Sequence, residues 1–149
     1  MLMYELQAFA EKLIIGRPIL GLDHGMKRTG ISMSCGQHGM AVPFCTVETR
    51  QVIARLQQMK RSYNTFGIVL GMPVNMDGTK SQQLDKVLEF AQGLLQFQEP
   101  IYLQDERLTS RATTFVVYNR SATQDKDHIA ASLILDTTLQ AMRFTMDKG

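Results

Sequence analysis

The chain predicts an α/β domain on a five-stranded mixed sheet: three strands in an antiparallel meander, two more strands parallel to the first, and helices flanking the sheet. Three observations carry this. Residues 19–47 hold three short apolar runs joined by glycine-containing connections, the pattern of a meander. Beyond residue 49 the period changes, and stripes at helical spacing alternate with continuous apolar runs of the kind buried on both faces. A length of 149 residues suits one domain with room for a sizeable core.

Each element can be justified in turn. Leu2, Leu6, Phe9, Ala10 and Leu13 recur at helical spacing, predicting a short amphipathic helix over residues 2–13 that Gly16-Arg17-Pro18 ends. We therefore expect an N-terminal helical extension over 1–17 and the main domain over 18–145. Ile19–Asp23 is the first predicted strand, Thr29–Cys35 the second and Met40–Val47 the third. Pro43 cannot donate to a ladder, which puts the third strand at a sheet edge. Thr49 is a plausible N-cap for a helix whose apolar face is Val52, Ile53, Leu56, Met59 and Tyr63. Phe66–Gly71 is the fourth strand. Thr79-Lys80-Ser81-Gln82 matches a capping box ahead of the stripe Leu84, Val87, Leu88, Ala91, Leu94 and Leu95. Pro100–Gln104 is the fifth strand. Thr109–Tyr118 reads as helix, Asn119–Gln124 as loop, and 125–142 as a last helix burying Ile129, Leu133, Ile134 and Ala141.

Composition narrows the function classes. A formal net charge of +2 with scattered basic residues permits nucleic-acid binding, provided that a local patch supplies the attraction. Two cysteines, Cys35 and Cys45, are too few and too far apart for a zinc site and read as reduced thiols. Glu5, Glu11 and Lys12 interrupt any signal-peptide pattern, and no apolar run approaches the roughly 20 residues that cross a bilayer. A cytoplasmic protein with no membrane partner is expected, as monomer or homodimer.

The chemistry concentrates in three acids. Asp23 ends the first strand inside Ile19-Leu20-Gly21-Leu22-Asp23-His24-Gly25-Met26-Lys27-Arg28. A carboxylate on a buried strand is costly unless something positive meets it. Asp105 and Glu106 follow the fifth strand, and Asp127 begins the last helix. In such sheets ligands gather at the carboxyl ends of parallel strands. Two-metal phosphoryl chemistry needs hard oxygen ligands there, holding Mg²⁺ ions about 4 Å apart. Adjacent residues of a strand face opposite ways, so only one of Asp105 and Glu106 can join Asp23. Lys27, Arg28 and Arg107 are the nearest cations and candidates for phosphate contact. His24 and His128 each follow an acid but point elsewhere; Asn75, Asp77 and Thr79 follow the fourth strand and could line the cleft, although for Asp77 a turn leading into the next helix is the preferred reading.

The segments LGLDHGMKRTGISMS, IVLGMPVNMDGT, LQDERLTS and DHIAASLIL resemble the YqgF/RuvX family, in the family's order and near its spacing from Ile19 to Leu139. The resemblance implies an RNase H-like fold related to the RuvC Holliday-junction resolvases. It also implies a bacterial nuclease that matures the 5′ end of precursor 16S rRNA, with one pair of Mg²⁺ or Mn²⁺ ions held by Asp23, Glu106 and Asp127. It favours Glu106 over Asp105, which is kept as a supporting or alternative acid. The chain departs from the pattern in two places. His24-Gly25-Met26-Lys27 stands where an apolar residue and Gly-Thr-Lys are usual, and the basic segment before the last acid keeps only Arg120 and Lys126.

Three other functions compete with nuclease action on RNA. Resolution of a DNA junction would need a dimer with two sites. A sugar-kinase or chaperone-like ATPase would need a duplicated domain, for which 149 residues leave no room. A nucleic-acid-binding module without catalysis is compatible with the altered turn at Met26.

Overall fold

The inner strands of the sheet owe their place to residues that can be buried on one or both faces. The computed structural model describes residues 2–36, 39–73, 77, 81–106 and 127–148. Its elements are β1 (Leu2–Met3), α1 (Leu6–Lys12), β2 (Leu20–His24), β3 (Arg28–Cys35), β4 (Met40–Glu48), α2 (Val52–Tyr63), β5 (Ile68–Met72), α3 (Leu84–Leu94), β6 (Ile101–Asp105) and α4 (Asp127–Lys148). They form a six-stranded sheet in the order β1-β6-β5-β2-β3-β4. The β2–β3–β4 meander is antiparallel, while β5 runs parallel to both β2 and β6. Pro43 lies on the edge strand β4, at a register shift that leaves Phe44 unpaired between Pro43 and Cys45.

The sheet separates two cores. Leu20, Leu22, Ile31, Ile68, Leu70, Ile101 and Leu103 point to one face and pack against Val52, Leu56 and Met59 of α2 and Val87, Ala91 and Leu94 of α3. On the other face Ile19 and Val69 meet Phe9 of α1 and Ile134, Leu135, Leu139 and Met142 of α4. Successive residues of β2 alternate accordingly, so Gly21 and Asp23 face α4 while Leu20 and Leu22 face α2 and α3. Polar contacts fix α4 to the sheet: the Ser32 hydroxyl donates to the Ala131 carbonyl at 2.8 Å, and that of Thr138 to Gln104 Oε1 at 2.8 Å.

Four expectations need correction. The sheet has six strands rather than five, because Leu2 and Met3 leave the expected helix and pair in parallel with Ile101 and Tyr102. The helix starts only at Leu6, since the backbone of residues 2 and 3 gains ladder bonds and buries Met3. Thr49 does not cap a helix: it starts a 3₁₀ turn over Thr49–Gln51, and its hydroxyl donates to the Gly25 carbonyl at 2.6 Å. The capping box lies partly outside the described residues; within them Ser81 donates to the Pro73 carbonyl at 2.9 Å, and α3 begins at Leu84 without a side-chain cap. The helix expected over Thr109–Tyr118 and the loop over Asn119–Gln124 lie outside the described residues. Cys35 and Cys45 are both free thiols. Among the described residues no helix is long and apolar enough to cross a membrane.

Candidate active site

The site is built where the sheet lacks side chains. Asp23 projects towards α4 from β2, and its partner across the antiparallel ladder is Gly30. On the other side the parallel register Leu22–Leu70 leads on to Gly71 of β5. A Cβ on Gly30 would run into the Asp127 backbone carbonyl, so the first turn of α4 lies directly over this glycine. A Cβ on Gly71 would stand 3.0 Å from Glu106 Oε1. The two glycines therefore open the floor on either side of Asp23, one beneath Asp127 and the other beneath Glu106.

Alternation along β6 turns Gln104 to α4, where it bonds Thr138, and Asp105 away from it; Glu106, one residue past the strand, lies over Gly71 and bonds Asp23. The structure thus brings Glu106 into contact with Asp23 and leaves Asp105 a close neighbour whose charge reaches Glu106.

The electrostatics follow from this crowding. Burial, then the Glu106 and Asp127 charges, raise the Asp23 pKa from 3.8 to about 7. Burial also raises the Glu106 pKa, and Asp105 adds to the effect, while the hydrogen bond with Asp23 works in the opposite sense. Two carboxyls in hydrogen-bond contact need a proton between them, and burial favours the pair's holding one. Asp127 is more open and lies 3.5 Å from Arg28 Nε, with 31% of its side chain and 65% of the arginine's exposed. Such a loose surface pair contributes little to stability. Among the described residues, no three His, Cys, Asp or Glu side chains are already closed around a point that a metal ion could take. The donor set nonetheless fits a hard divalent cation in kind. Carboxylate oxygens are its preferred ligands, and two half-buried acids that must share a proton are the groups a cation would relieve.

The other expected residues divide. Arg28 meets the site through Asp127, and Lys27 is exposed beside it; Arg107, Arg120 and Lys126 lie outside the described residues. Asn75 and Thr79 lie outside them too, while Asp77 is exposed. His24 points to the opposite face from Asp23 and lays its ring 4.5 Å from that of Phe90, where burial lowers its pKa. His128 Nδ1 is 3.0 Å from the Thr46 hydroxyl on β4.

Sequence reasoning overlooked two contributors. Thr49 ties down the turn after Asp23: its hydroxyl bonds the Gly25 carbonyl and the Thr29 hydroxyl, and its N–H donates to the Lys27 carbonyl. Met26 consequently needs no role in holding that turn, and 69% of it is exposed. The second is an ion pair remote from the acids, between the buried Glu99 and the partly exposed Lys60. Glu99 accepts from Lys60 Nζ at 2.7 Å and from the Gly67 N–H at 2.8 Å, tying α2 to the start of β5. Nothing local in the sequence pairs these residues.

The comparisons with known proteins agree with this architecture. A model of the RuvX family, described as Holliday junction resolvase, matches residues 17–141. The chain is 35% identical over 152 residues to a Rickettsia akari protein named "Putative pre-16S rRNA nuclease", covering 96% of this chain and 99% of that protein. A Rickettsia canadensis protein of the same name is 36% identical over the same shares. Among solved structures, Thermus thermophilus RuvC in complex with Holliday junction substrate superposes with a TM-score of 0.56 at 14% identity, over 87% of this chain and 97% of that one. A second T. thermophilus RuvC structure gives 0.55 at 13% identity, over 86% and 97%. At such identities the likeness speaks for the RNase H-like fold alone. With a family model spanning most of its length and relatives matched almost end to end, this chain belongs to the RuvX family.

Proposed function

We propose that the protein is a metal-dependent nuclease that hydrolyses phosphodiester bonds at the 5′ end of precursor 16S rRNA, in the cytoplasm. The observation that carries this reading is the half-buried Asp23–Glu106 pair with Asp127 beside it, at the carboxyl ends of parallel strands. Asp23, Glu106 and Asp127 would hold Mg²⁺ or Mn²⁺, in a pair of ions. Such ions lower the pKa of attacking water and offset the charge that gathers on phosphorus. Asp23 and Glu106 would then give up their shared proton, and Arg28 would exchange Asp127 for a substrate phosphate. Asp105 keeps the negative potential high from the other face of β6.

The names of the Rickettsia relatives support rRNA as substrate. The family description favours a second reading, resolution of DNA four-way junctions by a homodimer. One experiment addresses both. Purified protein is offered a 5′-extended 16S rRNA fragment and a synthetic four-way junction in Mg²⁺. We expect cleavage of the RNA by the wild type and none by Asp23→Asn, with unchanged far-UV circular dichroism. Equal cleavage by the variant refutes the assignment, and cutting of the junction alone selects the second reading.

A further inference from the structure

We propose that the recess between His24 and α3 is a subsite for one unpaired base of a single-stranded nucleic acid, whose backbone phosphates run along an adjoining basic recess. The inference rests on the nuclease reading and adds to it a preference for single strands.

Two recesses meet at Met26. One, of about 600 Å³, is lined by Met26, Lys27, Arg28, Glu48 and Arg50. Three cations thus face one carboxylate, which Arg50 engages at 2.9 Å. This recess reaches the acids directly, since Arg28 also contacts Asp127. The other, of about 360 Å³, is lined by His24, Met26, Lys86, Glu89 and Phe90. It lies on the opposite face of β2 from Asp23, and Met26, which lines both recesses, joins it to the basic one, so a strand whose phosphates follow the basic recess can turn a base over Met26 into it. Its wall is the half-buried His24–Phe90 ring pair, 4.5 Å between centroids and tilted by 33°. The exposed thioether of Met26 forms the ridge between phosphate side and base side.

Physics selects the occupant. Every nucleobase offers a flat π-face, and a ring pair with an adjacent thioether holds such a face regardless of base identity. Bases inside a duplex are stacked on one another and cannot enter. Lysines and arginines on one side with rings on the other is the layout by which single strands are held without sequence preference.

The test uses the Asp23→Asn protein, so that the strand stays intact, and a 12-nucleotide RNA carrying 2-aminopurine at each position in turn. We expect fluorescence quenching at one position. Phe90→Leu, which keeps most of the volume that α3 packs with, should abolish the quenching and weaken single-strand binding about 10-fold, leaving duplex affinity unchanged. Met26→Ser, at an exposed position that folding does not depend on, should weaken single-strand binding in the same direction. Quenching at no position, or parental affinity in both variants, overturns the subsite. Wild-type cleavage in Mg²⁺ keeps the two ideas separable. Cleavage without quenching at any one position removes the subsite alone, and position-specific quenching without cleavage removes the nuclease reading alone.

Discussion

Replacing Asp23 with asparagine should stabilise the metal-free protein while it destroys the site. Asp23 binds its proton more tightly folded than unfolded, with a pKa raised from 3.8 to about 7. Its contribution to stability is therefore complete below about pH 4 and lost as pH rises through 7. At 1.36 kcal/mol per pKa unit, holding Asp23 ionised inside the fold costs up to about 4 kcal/mol at pH 8. Glu106 shares that burden, so about 2 kcal/mol is the expected gain on removing the charge. An asparagine amide can still donate to Glu106. For a domain of this size about 2 kcal/mol corresponds to a Tm higher by roughly 4–8 °C. The assay is thermal unfolding of both proteins in EDTA at pH 5 and pH 8. The variant should lead clearly at pH 8 and by little at pH 5. Adding Mg²⁺ at pH 8 should then raise the wild-type Tm and leave that of the variant unmoved, by linkage of binding to folding. A variant no more stable than wild type at pH 8, or a difference that ignores pH, would refute the reasoning.

Three further outcomes follow from particular contacts. Gly30→Ala would push the start of α4 off the sheet, and a loss of about 2–4 kcal/mol in urea unfolding is expected together with lost cleavage. Lys60→Met should leave Glu99 buried without its cation and cost about 3–5 kcal/mol, whereas the double variant Lys60→Met/Glu99→Gln should recover much of it, as a double-mutant cycle would show. Arg28→Ala should change stability by less than about 0.5 kcal/mol because its pair with Asp127 is loose and exposed, yet it should raise KM for RNA in steady-state kinetics.

Much of the architecture was legible because it depends on local pattern. The runs at 19–23, 29–35 and 66–71 each declare a strand, and Pro43 declares an edge, without knowledge of any partner. The acids stood out because a carboxylate at the end of an apolar run is anomalous wherever the run pairs. Alternation said only that one of Asp105 and Glu106 could join Asp23, the family resemblance favoured Glu106, and the structure bonds Glu106 to Asp23. What stayed hidden depends on partners far along the chain. A two-residue strand such as Leu2–Met3 has no period of its own and exists only because β6 offers a free edge. Thr49 looked like a cap because its neighbours are helical, while its hydroxyl is used by a turn 24 residues earlier. His24 and Phe90 are separated by 66 positions, and only the packing of α3 on β2 makes them a pair.

The bare floor beside Asp23 has an implication for how the site can fail. One wall is the opening turn of a long helix, seated on bare Gly30 as a lid sits on a rim and joined to the sheet there by the loose, exposed Arg28 pair and the Thr46–His128 bond. Fraying of that turn by a few residues would disperse the ligand set while all six strands stayed zipped. Loss of function in this protein should thus be sought first in amide exchange at residues 127–131, well before any probe of global unfolding responds.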